Sequence, residues 1–113
     1  MRNIIQSTAF TDFFESLPAR AQTKMLYALN IVASLKVVST KLVKRLVGTD
    51  FYELRISVDN EYRVILFCVD KENFMEASEI LLLNGFLKKS TKDYDSEIKK
   101  AEKILRIYET EDR

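Results

Sequence analysis

Residues 52–67 read YELRISVDNEYRVILF, and the change of pattern inside that run decides the fold. In its first half Tyr52, Leu54, Ile56 and Val58 alternate with polar residues, the two-residue period of a strand with one buried face. From residue 62 to 69 the apolar residues are continuous apart from Arg63, as in a strand buried on both faces. Asp59 and Asn60 between the halves are turn formers, so the stretch predicts a hairpin. A third strand is expected at residues 77–86, where ILLL at 80–83 makes an unbroken apolar centre.

Helices flank these strands. Residues 3–7 are expected to open the chain as a strand and residues 9–16 to follow as a short helix. Pro18 suits the first turn of a second helix, where its missing N–H has no intrahelical partner to lose. Ala21, Met25, Ala28, Leu29, Val32 and Leu35 then recur at spacings of three and four, an apolar stripe on a helix running from 18 to about 36. In the last helix Asp95 or Ser96 is the cap and Glu97 sits at the positive end of the dipole. Its apolar face is Ile98, Ala101, Ile104, Leu105 and Tyr108, with Lys99, Lys100, Glu102 and Lys103 in solvent. Strand, two helices, three strands and a helix make an α+β domain, with helices packed on one face of a mainly antiparallel sheet.

A chain of 113 residues suits one domain, 1–113, with a core that needs neither metal nor disulfide. Apolar residues make up 47% and charged residues 31%, which excludes a disordered chain. Cys68 is the single cysteine and lies in a strand pattern, so it reads as a small buried hydrophobe. The first ten residues hold too short an apolar run for a signal peptide, and no segment approaches about 20 apolar residues. A cytoplasmic protein without a membrane partner is expected. Histidine is absent, which removes the commonest metal ligand and the commonest general base together; no metal or cofactor is expected.

The net charge of +1 conceals an asymmetry. Residues 36–48 carry Lys36, Lys41, Lys44 and Arg45 without an acid, and residues 85–92 carry Lys88, Lys89 and Lys92 without one. Acids gather instead at residues 70–79 and at Glu109, Glu111 and Asp112. Such segregation predicts a molecule with one cationic face.

Long cationic side chains on apolar strands point to RNA. Metal-free cleavage of RNA requires removal of a 2′-OH proton, stabilisation of a crowded anionic phosphate, and protonation of the leaving 5′-oxygen. Arginine suits the second task, because its planar fork meets two phosphate oxygens and stays charged. Arg55 and Arg63 are the candidates, on one condition. A plain two-residue turn at Asp59 and Asn60 pairs Arg63 with Ile56 and sends Arg55 to the opposite face. A third loop residue or a bulge slips the register by one and sets Arg55 directly across from Arg63; this second arrangement is the prediction. For the proton transfers the candidates are lysines crowded by other cations, Lys41, Lys44 and Lys88. Glu53 is either a base or the ion-pair partner of Arg55, and Tyr52 and Tyr62 either pack in the core, protonate a leaving group or stack on a base.

The same stretches resemble the HigB-type branch of the RelE/ParE toxin superfamily, which includes the phage-derived Gp49-like proteins. Four motifs carry the resemblance in order over the C-terminal two-thirds of the chain. They are ELR at Glu53, Leu54 and Arg55; YR at Tyr62 and Arg63; F-x-KK at Phe86, Lys88 and Lys89; and EI-x-x-A at Glu97, Ile98 and Ala101. The resemblance implies a RelE-like fold and the toxin of a type II toxin–antitoxin pair, which enters the ribosome and cleaves mRNA without a metal. It further implies a helix-turn-helix antitoxin as partner in a hetero-oligomer. Arg55, Arg63, Lys44 and Lys88 then form the catalytic group, with Lys41, Arg45, Lys89 and Asn84 as RNA contacts. The chain departs from the pattern at Asn84, where many relatives have histidine, and at Lys92, Asp93 and Tyr94, where KTP is usual. The superfamily also holds ParE-like members that inhibit DNA gyrase without nuclease activity, and a catalytically silent co-repressor is a third possibility.

Overall fold

The structure, a computed structural model, describes residues 1–111; Asp112 of the acidic C-terminal group lies outside the described residues. In chain order the elements are β1 (Asn3–Gln6), α1 (Thr8–Glu15), α2 (Ala19–Ser34), β2 (Val43–Arg45), β3 (Phe51–Val58), β4 (Asn60–Cys68), β5 (Glu79–Leu87) and α3 (Asp93–Glu111). The five strands form one sheet in the order β1-β5-β4-β3-β2. β1 runs parallel to β5 and the other neighbours are antiparallel. No helix among the described residues is long and apolar enough to cross a membrane.

The helices cover both faces of the sheet rather than one, which corrects the expectation from sequence. Leu54, Ile56, Tyr62, Val64, Leu66, Ile80 and Leu82 pack with Phe10, Ala21, Met25, Ala28 and Val32 of α1 and α2. Phe51, Ile65, Leu81, Leu83 and Phe86 pack on the other side with Ala101 of α3. The physical reason is in the sequence of β4 and β5, whose continuous apolar runs leave neither face fit for water. β2 was not foreseen either. It has three residues, less than two periods of alternation, inside a segment that reads as a basic run.

Two polar side chains fix the helices on their first face. Ser7 caps α1 by accepting the Phe10 N–H at 3.1 Å, and its hydroxyl donates to the Leu83 carbonyl of β5 at 2.7 Å. Arg2, 6% exposed, donates to the carbonyl of Val32 in the last turn of α2 at 2.9 Å, a group with no partner within the helix, and to that of Lys36 just past it at 2.7 Å.

Two irregularities set the faces. Asp59 alone separates β3 from β4, with φ 63 in the left-handed region that Asp tolerates, and Val58 pairs with Asn60. In the β4–β5 ladder Val64 pairs with Gly85 but Leu66 pairs with Leu82, so Leu83 and Asn84 together oppose Ile65. This bulge sends Asn84 and Phe86 to the α3 side and Gly85 to the α1 side. A Cβ on Gly85 would lie 2.2 Å from the Phe13 ring, so glycine alone admits that ring.

Candidate RNA-binding face

The registers of three strand pairs assemble one polar patch beside the N-terminus of α3. Lys44 of β2 stands across from Glu53 of β3, and Arg55 of β3 stands across from Arg63 of β4. The Lys88 N–H donates to the Glu61 carbonyl at 2.8 Å, extending the β4–β5 pairing past Leu87. Directly opposed residues of an antiparallel pair share a face, so the slipped register predicted for the hairpin is the one observed. Four cations, Lys44, Arg55, Arg63 and Lys88, share this face with two carboxylates, Glu53 and Glu61, an excess of two positive charges.

At the centre is Glu53, 4% exposed. Its Oε1 accepts from the Tyr94 hydroxyl at 2.9 Å and lies 3.2 Å from Arg63 Nε and 3.4 Å from Arg55 Nε. The anion that two adjacent arginines demand is therefore supplied by the protein itself. Of the two roles open to Glu53 in the sequence, ion-pair partner is the observed one, and it serves both arginines. Arg63 is enclosed at 2% exposure, and its Nη1 also bonds Glu61 Oε1 at 3.2 Å and the Tyr62 carbonyl at 2.9 Å. A guanidinium so enclosed does not present its fork to solvent. Arg55, with 35% of its side chain exposed, does.

Tyr94 is the residue that sequence reasoning missed. It sits in the first turn of α3, edge-on to Phe86 at 5.5 Å, accepts from Arg63 Nε at 3.2 Å, and has the Lys88 ammonium 6.0 Å from its ring. Burial pushes its phenol pKa up and Glu53 adds to the rise, while Arg63 opposes both. Residues 92–94 stood out in the sequence only as a departure from KTP, and no local signal joins Tyr94 to Glu53, 41 positions earlier. The helix also starts before the expected caps. Asp93 Oδ2 accepts the N–H groups of Lys89 and Ser90 at 2.8 and 2.9 Å, which hold its carboxyl below the usual range.

The remaining candidates separate. Lys44 is exposed and Lys88 half-buried on the patch; Lys89 is exposed in the turn after β5, and Lys41 is exposed in the turn before β2. Arg45 points to the opposite face, its guanidinium 5.7 Å over the Tyr52 ring and donating to the Thr49 carbonyl at 3.2 Å. Asn84, 6% exposed, lies under α3 and donates to the Glu97 carbonyl and Oε1 at 3.0 and 2.9 Å, fastening the helix to the sheet. Neither Arg45 nor Asn84 joins the cluster. Glu61 has its carboxyl held low, first by the Ser57 hydroxyl and then by Arg63 and Lys88. Among the described residues no group of three His, Cys, Asp or Glu is placed to hold a metal ion.

A model of the phage-derived Gp49-like protein family matches residues 12–106. No curated protein matches the chain significantly. Among solved structures the chain is similar to a chain of the intact E. coli RelBE toxin–antitoxin complex, with TM-score 0.61 and 12% identity over 80% of this chain and 100% of that one. It is similar also to the isolated E. coli RelE toxin, with TM-score 0.59 and 13% identity over 88% of this chain and 97% of that one. At such identities the likeness is one of fold. The chain thus belongs to the phage-derived Gp49-like family and carries the fold of the RelE toxin superfamily.

Proposed function

We propose that the protein, over residues 1–113, is the toxin of a type II toxin–antitoxin pair and cleaves mRNA on the ribosome in the cytoplasm, without a metal. The observation that carries this reading is the opposition of Arg55 and Arg63 across the hairpin, with Lys44 and Lys88 on the same face and Tyr94 of α3 against Arg63. Lys44, exposed, and Arg55 and Lys88, partly exposed, present positive charge to a phosphate, with Lys41 and Lys89 extending it along the strand ends. Arg63 supports them from beneath.

In the reaction the 2′-oxygen bonds to phosphorus as the P–O5′ bond breaks, leaving a 2′,3′-cyclic phosphate and a 5′-hydroxyl. The 2′-OH proton passes to Lys44 or Lys88 as general base, and the Tyr94 hydroxyl, on leaving its hydrogen bond to Glu53, gives its proton to the 5′-oxygen. The phenolate so formed faces Arg63 Nε at 3.2 Å, which offsets its charge against the Glu53 carboxylate at 2.9 Å. A protein antitoxin of the helix-turn-helix class neutralises the toxin in a hetero-oligomer.

Induced expression should arrest growth and translation, and primer extension on cellular mRNA should show new 5′ ends. Arg55→Ala should abolish both effects. Arrested cells with intact mRNA would refute the nuclease reading; loss of supercoiling before translation would mark a gyrase inhibitor, and absence of toxicity a silent co-repressor.

A further inference from the structure

Glu53 is the one buried carboxylate among the described residues, and it sits in the middle of the face proposed to receive phosphate. An acid there weakens attraction for RNA and is costly to bury, so packing alone is a poor account of it. The contact geometry gives a better one. Tyr94 of α3 donates to Oε1 at 2.9 Å, and the same oxygen is the ion-pair partner of Arg63 Nε of β4 at 3.2 Å and Arg55 Nε of β3 at 3.4 Å. Because Arg55 meets Glu53 through its Nε, as an ion pair at 3.4 Å, the terminal Nη edge of that fork is left for a phosphate. The same carboxylate accepts the Tyr94 proton and so fixes where the hydroxyl lies.

We infer that Glu53 is the positioning residue of this face: its carboxylate holds the Arg55 fork and the Tyr94 oxygen beside one phosphate site without itself touching RNA. The inference rests on the nuclease reading above. Three charged groups face Tyr94 from the packed strands, namely Glu53 on β3, Arg63 on β4 and Lys88 just past β5. Of these Glu53 alone is an anion; after burial, its hydrogen bond is what raises the phenol pKa, and Arg63 lowers it.

The test compares wild type, Glu53→Gln and Glu53→Asp by steady-state cleavage of ribosome-bound mRNA. In parallel, Tyr94 is titrated by ultraviolet difference absorbance, each protein against its Tyr94→Phe counterpart. Gln keeps the shape and removes the charge. Its KM should fall, because the face becomes more positive, while kcat falls by about tenfold or more as the orientation is lost. Its Tyr94 should titrate at lower pH than in wild type. Asp should keep the Tyr94 titration raised and recover part of kcat, and it carries the titration test if the Gln variant does not fold. An unchanged kcat in Glu53→Gln, or a KM that rises at constant kcat, overturns the inference; the latter marks Glu53 as an RNA contact. If wild type cleaves no mRNA the nuclease reading fails, and the titration alone then decides the positioning. An unmoved Tyr94 midpoint in Glu53→Gln overturns it, and a lowered one sustains it.

Discussion

Replacing Arg63 with alanine removes a guanidinium that is 2% exposed and leaves Glu53, 4% exposed, with fewer partners in the same place. Removing one side of a buried ion pair costs about 3–5 kcal/mol, because the other charge stays out of water uncompensated. Here part of the loss is offset. Arg55 remains 3.4 Å from the same carboxylate oxygen and Tyr94 still donates at 2.9 Å, so the expected cost is about 2–4 kcal/mol. With a urea slope of about 2 kcal/mol per molar, the unfolding midpoint should drop by about 1–2 M. The control is Glu53→Gln with Arg63→Met, which removes both charges and should recover most of the loss. Equilibrium urea unfolding followed by circular dichroism measures all three proteins. An Arg63→Ala variant within about 0.5 kcal/mol of wild type would refute the reasoning, since Arg63 would then not be paired with Glu53 in solution. Lost toxicity in Arg63→Ala therefore reports on folding as much as on chemistry, and Arg55→Ala is the cleaner functional variant.

Arg55→Ala should change stability by about 1 kcal/mol or less, because its ion pair is partly exposed, and should flatten the dependence of log affinity for single-stranded RNA on log salt by about 0.7; an unchanged slope removes Arg55 from the phosphate contacts. Gly85→Ala places a methyl 2.2 Å from the Phe13 ring and should cost about 1–3 kcal/mol. Phe13→Leu should cost less in that background than in wild type, and additive costs would contradict the contact. Asp70 is held near a pKa of about 2, first by the Ser78 hydroxyl and then by the N–H groups of Ser78 and Glu79. Its folded pKa lies below the unfolded value of about 3.9, so the stabilisation is present above that pH and is lost as pH falls toward 2. Ser78→Ala should raise the Asp70 midpoint in a carboxyl-carbon NMR titration; an unmoved midpoint would deny the hydroxyl its part.

The elements that span several periods of their own pattern were legible in the sequence. The stripe from Ala21 to Val32 marks α2, the alternation from Tyr52 to Val58 marks β3, and the unbroken centre at Ile80 and Leu81 marks β5, because each reports an average burial along one element. The runs in β4 and β5 even carried the need for cover on both faces, although the helices were expected on one. Where the pattern is shorter than its period, as in Val43–Arg45, nothing local shows the strand.

The site divides in the same way. Sequence alone selected Arg55 and Arg63, because cations on apolar strands stand out one residue at a time, and Lys44 and Lys88 from their basic runs, and it stated the register on which the meeting of the two arginines depended. Only the tertiary structure decided what each cation touches. A turn residue at Asp59 sets the faces of Arg55 and Arg63; a bulge at Leu83 and Asn84 turns Asn84 under α3; and the docking of α3 brings Tyr94 to Glu53 and closes over Arg63. The partner of a charged side chain is fixed by register and by long-range packing, and neither is a property of the segment that carries it.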